Sequence, residues 1–205
     1  RTFSSAASDV YKRQGILVAI VVVATSNTES DGPTCLPDCS RRDFAGIGLP
    51  DVSLRGADFS ESILQDANLE KTDLTFARLI NTNLRDVQLN NADMSNAVLS
   101  WSDLRGANLE NTNLRGADLR GADLRGANLH NADLRGANLS ETQMKLANLS
   151  GATLLDAVFT NAEMRRVDLR DVAARRADFR DADLRMATFD GGEFTGADFH
   201  GSLLS

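Results

Sequence analysis

The sequence predicts an all-β fold in which the chain winds into a solenoid of stacked, four-sided coils. A bulky apolar residue recurs at every fifth position from Phe44 to Leu204, without insertion or deletion. A small residue such as Ala57 stands two positions before most of these bulky residues. A period of five fits neither the 3.6 residues of a helical turn nor the alternation of a strand, so the repeat is that of a coil.

The bulky positions form the predicted core. Of 33 positions in this register, Ala174 alone lacks a bulky side chain, and we expect nearby phenylalanine rings to fill the space beside it. The small and bulky residues of one unit can both point inward while the residue between them points out. The remaining two residues are mostly polar or Gly and turn a corner, where Gly tolerates a positive φ. The core ladder that we predict includes Leu104, Leu109, Leu114, Leu119, Leu124, Leu129, Leu134 and Leu139.

The repeated motif Ala-(Asp/Asn)-Leu-Xaa-Xaa, as in the stretch 117–121, resembles the pentapeptide repeat family over residues 42–205. The resemblance implies a right-handed quadrilateral parallel β-helix with the bulky residues stacked inside. Four five-residue sides make a coil of twenty residues, and the 33 units make about eight coils. With coils spaced at about 4.8 Å, the rod would be roughly 40 Å long.

The first forty residues differ in composition from the repeat. Ser4–Gln14 resembles translated sequencing-adapter sequence. Ile16–Ala24 is an apolar run followed by small and polar residues, which is typical of a secretory signal peptide and too short to span a membrane alone. A truncated anchor helix or a buried segment is the alternative. We therefore divide the chain into a non-native stretch (1–14), a signal-peptide-like segment (15–26), a linker with a cysteine-containing N-terminal cap (27–40) and the repeat domain (41–205).

The only two cysteines, Cys35 and Cys39, are separated by three residues that include a proline. In an exported chain this spacing favours a local disulfide that ties down the first turn. Two free thiols are the first alternative, and a redox or metal pair is the second. Redox pairs usually have two intervening residues, and a metal would need further ligands, whereas His130 and His200 lie far along the chain. We predict no metal site and no cofactor.

Outward residues taken every twenty positions fall into stripes. A basic stripe comprises Arg85, Arg105, Arg125, Lys145, Arg165 and Arg185, and an acidic stripe beside it comprises Asp103, Asp123, Gln143, Glu163 and Asp183. One interpretation is a solvated salt-bridge ladder, in which each pair contributes roughly 0–1 kcal/mol. The other is an interaction stripe on which a partner docks. The next face carries an amide column that we expect to be hydrogen-bonded: Asn68, Gln88, Asn108, Asn128 and Asn148.

A second basic feature lies near the end of the chain. The arginines at positions 165, 166, 170, 175 and 176 predict one basic patch in an otherwise acidic rod. This patch is either an anion or partner site or a solvated face.

Composition excludes several classes of function. The net charge of −7 and the 5% aromatic content disfavour direct nucleic-acid binding, and the charge also disfavours an anionic membrane surface. The sequence has no nucleophile elbow, no His-Glu-Xaa-Xaa-His motif and no phosphate loop, so we predict no catalytic residues.

Two functional hypotheses remain. The first is a non-catalytic structural or protein-interaction scaffold, exported to the periplasm or thylakoid lumen, with no membrane contact in its mature form and a protein partner that the sequence does not identify. Rigid, repetitive display of side chains suits protein binding. The second comes from the family resemblance: a DNA mimic that binds a type II topoisomerase and inhibits gyrase or protects it from quinolones.

The repeat continues without a change of register to Leu204, so we expect either a truncated chain or an end-to-end homodimer.

Overall fold

In a computed structural model, which describes residues 38–205, the chain forms one continuous stack of coils. A residue at every fifth position forms a single-residue parallel β-bridge with the residue twenty positions later, from Asp43–Ile63 to Asp183–Leu203. Within the described residues there is no helix, and no strand is longer than one bridge residue. The chain therefore returns to the same place every twenty residues, and each coil lies parallel to the one before it.

Three backbone hydrogen bonds join each five-residue unit to its neighbours in the stack. The N–H of Leu104 donates to the carbonyl of Asp123 at 2.8 Å, and the N–H of Gly106 donates to the carbonyl of Arg125 at 3.1 Å. In the opposite direction, the N–H of Asp123 donates to the carbonyl of Ser102 at 2.9 Å. Backbone polar groups are thus satisfied between coils although no long strand is present.

Every fifth residue from Arg41 to Gly201 lies at a corner with a positive φ between 54° and 74°. In each such turn the third residue is left-handed, as in a type II turn: the N–H of Ala107 donates to the carbonyl of Leu104 at 3.0 Å around Gly106. Gly, Asn and Asp, which tolerate this conformation, fill most corners. The larger corner residues are Arg41, Glu61, Lys71, Phe76, Trp101, Glu141, Leu146, Arg166, Arg176 and Met186.

The core consists of the bulky residues, which stack in columns of positions twenty apart, with the small residues beside them. Ser102 and Thr112 occupy small positions, and their hydroxyls donate to the carbonyls of Leu99 and Leu89 at 2.7 and 2.8 Å. Cys39 occupies a bulky position of the same register, since it is buried and its N–H donates to the carbonyl of Asp58 at 2.9 Å. The ladder residues that the sequence singles out are all 0% exposed: Leu104, Leu109, Leu114, Leu119, Leu124, Leu129, Leu134 and Leu139.

Ala174 is fully buried in a region rich in aromatic rings. The rings of Phe159, Phe179 and Phe199 stack with successive centroids 4.9 Å apart, which matches the spacing between coils of about 4.8 Å. Phe194, one coil beyond Ala174 in the same column, tilts to within 6.2 Å of the Phe179 ring. The aromatic rings thus gather next to the one ladder position that lacks a bulky side chain.

Along residues 38–205, no helix reaches the length and hydropathy that crossing a membrane requires.

Candidate functional site

The basic and acidic stripes meet on one side of the stack, which we call the charged face. Arg105 binds Asp103 through two atoms, with Nη2 2.5 Å from Oδ2 and Nε 2.8 Å from Oδ1. Its Nε also lies 3.4 Å from Oδ2 of Asp123, one coil further on. Arg85 approaches Asp103 from the other side at 3.7 Å, and Arg125 pairs with Asp123 at 2.5 Å. Five charges therefore form one alternating network over three coils.

The network of ion pairs is interrupted at Gln143 and Lys145 and continues at Asp183. Gln143 takes the position of an acid, and within residues 38–205 Lys145 forms no ion pair. Further along, Asp183 accepts from two arginines, with Nε of Arg165 at 2.5 Å and Nη2 of Arg185 at 2.6 Å. The charged face thus consists of a paired segment and a segment in which a cation lacks a carboxylate partner.

The acid in each paired unit also stabilises the turn that follows it. Oδ1 of Asp118 accepts a hydrogen bond from the backbone N–H of Arg120 at 3.2 Å, and the Arg120 side chain donates to the same carboxylate. These bonds from Arg120 hold the pKa of Asp118 below its usual value, against the opposing effect of burial. Asn128 caps its turn in the same way, through the N–H of His130 at 3.2 Å. Asp and Asn recur at this position in the sequence, but their capping role was not predicted from that pattern.

The amide column forms the hydrogen-bonded stack that its sequence pattern predicts over most of its length. Asn108 Nδ2 donates to Gln88 Oε1 at 3.2 Å, and Asn128 Nδ2 donates to Asn108 Oδ1 at 3.4 Å. Asn148 continues the ladder to Asn128 at 3.1 Å. The column therefore serves to hold coils together.

The single basic patch predicted from positions 165–176 is wrong. Arg170 pairs with Asp168 at 2.6 Å, Arg175 with Glu193 at 2.8 Å, and Arg176 with Asp156 at 2.6 Å. Neighbours in sequence occupy different columns because a unit of five residues advances the chain by one side of the coil. Arg165 and Arg166 both lie at the end of the charged face.

A shallow groove of about 340 Å³ lies at this end of the charged face. It is lined by Lys145, Arg165, Arg166, Arg185, Met186 and Ser205. Leu146 and Met186 stand at corners on the same edge, and they are 56% and 65% exposed. This apolar component was not predicted from the sequence, because corners were expected to hold polar residues and glycine.

A second groove, of about 390 Å³, lies on another side of the stack and has a polar lining. Ser95, Asn96, Asn113, Arg115, Gly116 and Arg135 line it. It differs from the first groove in that no large apolar side chain contributes to it.

The remaining predicted sites concern cysteines and metals. Cys35 lies outside the described residues, so its pairing with Cys39 stays a prediction. Within residues 38–205, no three His, Cys, Asp or Glu side chains lie in a group that could hold a metal ion.

Comparison with sequence families agrees with the repeat pattern. The chain matches a family model described as Pentapeptide repeats over residues 102–141, 137–172 and 162–201, and one described as Pentapeptide repeat region over residues 43–119. No curated protein sequence matches the chain.

Several solved structures are similar to this chain. HetL, a pentapeptide repeat protein involved in heterocyst differentiation regulation in the cyanobacterium Nostoc sp. strain PCC 7120, is 28% identical, with 82% of this chain and 92% of HetL covered and a TM-score of 0.26. QnrB1, a plasmid-mediated fluoroquinolone resistance protein, is 17% identical, with 80% and 93% covered and a TM-score of 0.54. A pentapeptide repeat protein from the Arabidopsis thaliana thylakoid lumen is 27% identical, with 63% and 70% covered and a TM-score of 0.29. The likeness to QnrB1 concerns the fold.

Proposed function

Because this chain belongs to the pentapeptide repeat family, we propose that it is a non-catalytic scaffold that binds a protein partner through its outer columns of side chains. The observation that carries the proposal is the unbroken register of parallel bridges from Asp43 to Leu203. Such a register fixes the spacing of every side chain along the rod, and solenoids use surfaces of this kind to bind other proteins. We infer a right-handed quadrilateral of about eight coils, as the family resemblance implies.

The charged face supports this function because its two segments differ. Arg105 is engaged by two carboxylates, which leaves its charge largely neutralised within the chain. Lys145 and Arg166 form no ion pair with residues 38–205 and remain available to an external anion. A partner with complementary acidic groups would gain most at this end of the rod.

We further infer that the scaffold is exported to the periplasm or the thylakoid lumen. The support is the apolar run Ile16–Ala24, which lies outside the described residues, with small and polar residues after it. The predicted disulfide between Cys35 and Cys39 would fit such a compartment. An end-to-end homodimer also stays a prediction.

A DNA-mimic inhibitor of a type II topoisomerase is the second candidate. It is favoured by the net charge of −7 and by a fold shared with QnrB1, which is a fluoroquinolone resistance protein. The pairing of Asp103, Asp123 and Asp183 with arginines weakens it, because these carboxylates do not present an unneutralised acidic surface. The scaffold is therefore the function that the geometry supports best.

Site-directed photo-cross-linking tests the scaffold function. In one variant of the full chain, a photo-reactive amino acid would replace Lys145 on the charged face. In the matched control, it would replace Glu110 beside the amide column. We expect discrete protein adducts from position 145 in extracts of the source cell, and none from position 110. Equal labelling from both positions, or no adduct, would contradict the proposal.

A gyrase supercoiling assay with the same full-length protein separates the two candidates. The scaffold function predicts no inhibition at a large molar excess of the protein over gyrase. Inhibition at low micromolar concentration would support the DNA-mimic function instead.

A further inference from the structure

One edge of the rod changes character along its length. Its first five corners are Gly46, Asp66, Asp86, Gly106 and Gly126, all of which tolerate a positive φ. Its next three corners hold large side chains.

These three corners are Leu146, Arg166 and Met186, with φ of 65°, 58° and 62°. An L-residue with a large side chain is strained in this conformation, and strain of this kind is found at functional sites. Burial does not compensate for it, since Leu146 and Met186 are more than half exposed.

Two other corners with apolar side chains have an explanation within the chain. The guanidinium of Arg55 lies 4.8 Å from the centre of the Phe76 ring, and the Trp101 indole covers Gly121 in the next coil. Each of these rings stands alone on its edge. The edge with Leu146, Arg166 and Met186 is different, because two apolar side chains flank an arginine in one column.

The row of side chains directly beside this column is cationic. Lys145, Arg165 and Arg185 form a row beside it, and Asp183 is shared by two of these arginines. Within residues 38–205, Lys145 and Arg166 form no ion pair. In a chain of net charge −7, this is a surface that favours an acidic partner.

The spacing of the column restricts the shape of that partner. Leu146 and Met186 are two coils apart, which corresponds to about 9.6 Å along the rod. On an α-helix, side chains seven residues apart lie on the same face and about 10.5 Å apart along the axis. In an extended segment, side chains on one face repeat at about 6.8 Å and fit this spacing less well.

We propose that this corner column and the basic row beside it form a docking site for an acidic amphipathic helix of the partner protein. The helix would place two apolar side chains, seven residues apart, against Leu146 and Met186, with acidic residues between them facing Arg166. The proposal rests on the scaffold function and names its docking surface and the chemistry of its partner.

Fluorescence anisotropy with a defined probe tests the proposal. The probe is a fluorescein-labelled peptide of Glu and Ala, about 20 residues long so that it can form a helix, with Leu at positions seven apart. The matched peptide has Ala in place of every Leu. We expect the full-length protein to bind the first peptide and to bind the second at least about ten-fold more weakly.

Variants of the column distinguish docking from stability. Leu146→Asn combined with Met186→Asn removes the apolar contacts while Asn tolerates the corner conformation, so the thermal midpoint should not fall. Binding of the Leu-containing peptide should weaken about ten-fold or more, and Arg166→Asn should reduce its salt dependence. Phe76→Asn, at an apolar corner elsewhere, and Arg115→Asn, in the polar groove, should leave binding unchanged.

Three results would overturn the proposal: no binding of the Leu-containing peptide, equal binding of both peptides, or unchanged binding by the double variant. Equal binding of the two peptides would mean that the surface binds acidic peptides by charge alone. If the peptide fails while cross-linking at position 145 still yields partner adducts, the scaffold function stands and its partner has another chemistry.

Discussion

The indole ring of Trp101 lies directly over Gly121, the corner residue of the next coil. A Cβ atom at Gly121 would come within 2.3 Å of Cε3 and Cζ3 of that ring. The same relation joins Asp86 to Gly106, where the carboxylate Oδ1 takes the place of the ring. Corner side chains thus extend along the rod and cover the corner of the following coil when that corner is glycine.

Gly121→Ala is therefore expected to displace the indole ring and to strain a residue with a φ of 65°. Gly126→Ala is the matched control, since its φ is similar and nothing lies within 4 Å of its Cβ position. The backbone cost of about 1 kcal/mol should be common to both variants. The fluorescence of the single tryptophan should change in Gly121→Ala alone. Unchanged emission in that variant would contradict the contact.

Relief of corner strain should stabilise the fold. Glu141 has a φ of 62°, and Glu141→Asn should raise the free energy of unfolding by up to about 1 kcal/mol. Glu110→Asn makes the same chemical change at a position that is not a corner and should be neutral. Urea denaturation of both variants measures the difference. A loss of stability in Glu141→Asn would argue against strain at this corner.

Overpacking should result from Ala174→Leu. Ala174 is fully buried beside the Phe179 and Phe194 rings, whose centroids are 6.2 Å apart. Extra methyl groups there should force these rings out of position and cost about 1–3 kcal/mol. Thermal unfolding tests this, with Leu154→Met in the same column as a volume-conserving control. A higher midpoint for Ala174→Leu would show that the space is empty.

Acid should remove the stabilisation that Asp168 provides. Hydrogen bonds from the Arg170 side chain, together with its backbone N–H and the Thr188 hydroxyl, lower the pKa of Asp168 to about 2, although burial opposes the shift. A carboxyl with a lowered pKa stabilises the fold above its unfolded value of about 4, and this is lost as pH falls through about 2.

Asp168→Asn should therefore reduce stability at pH 7, by about 0.5–1 kcal/mol given the exposure of the pair, and have little effect at pH 2. The side-chain amide keeps an acceptor for the Arg170 N–H, so the turn itself is preserved. Arg170→Gln should have little further effect in the Asp168→Asn background. Thermal midpoints across pH for the two single variants and the double variant measure this, and equal destabilisation at both pH values would contradict it.

The core was predictable from sequence because it depends on side-chain size at a fixed period. Leu119 could be placed inside without knowledge of handedness or turn type. The corner conformation was less accessible: a left-handed residue at Leu146 or Trp101 is imposed by the neighbouring coils, and local preference at those positions opposes it. Tertiary contacts decide the backbone there.

The candidate site also combines features that the sequence predicts with features that depend on tertiary structure. Arg105 and Asp123 could be assigned to one face by counting twenty residues, because the register has no insertions. That Lys145 and Arg166 stay unpaired within residues 38–205 depends on side-chain directions, which counting does not give. The predicted grouping of Arg170 with Arg176 is wrong because residues close in sequence lie on different sides of the coil, where they pair with Asp168 and Asp156.

The uninterrupted twenty-residue register also determines how the length of this rod can change. Removing twenty residues, for example 104–123, would leave Ser102–Asp103 joined to Leu124–Arg125 with every later side chain on its original face. Removing five, for example 104–108, would turn the whole remainder by one side and place Asn128 and Asn148 of the amide column in line with Asp103 on the charged face. The effect of an insertion or deletion therefore depends on its size. Adding or removing whole coils changes only the length of the rod, whereas adding or removing one to three units changes which side chains lie on each side of it.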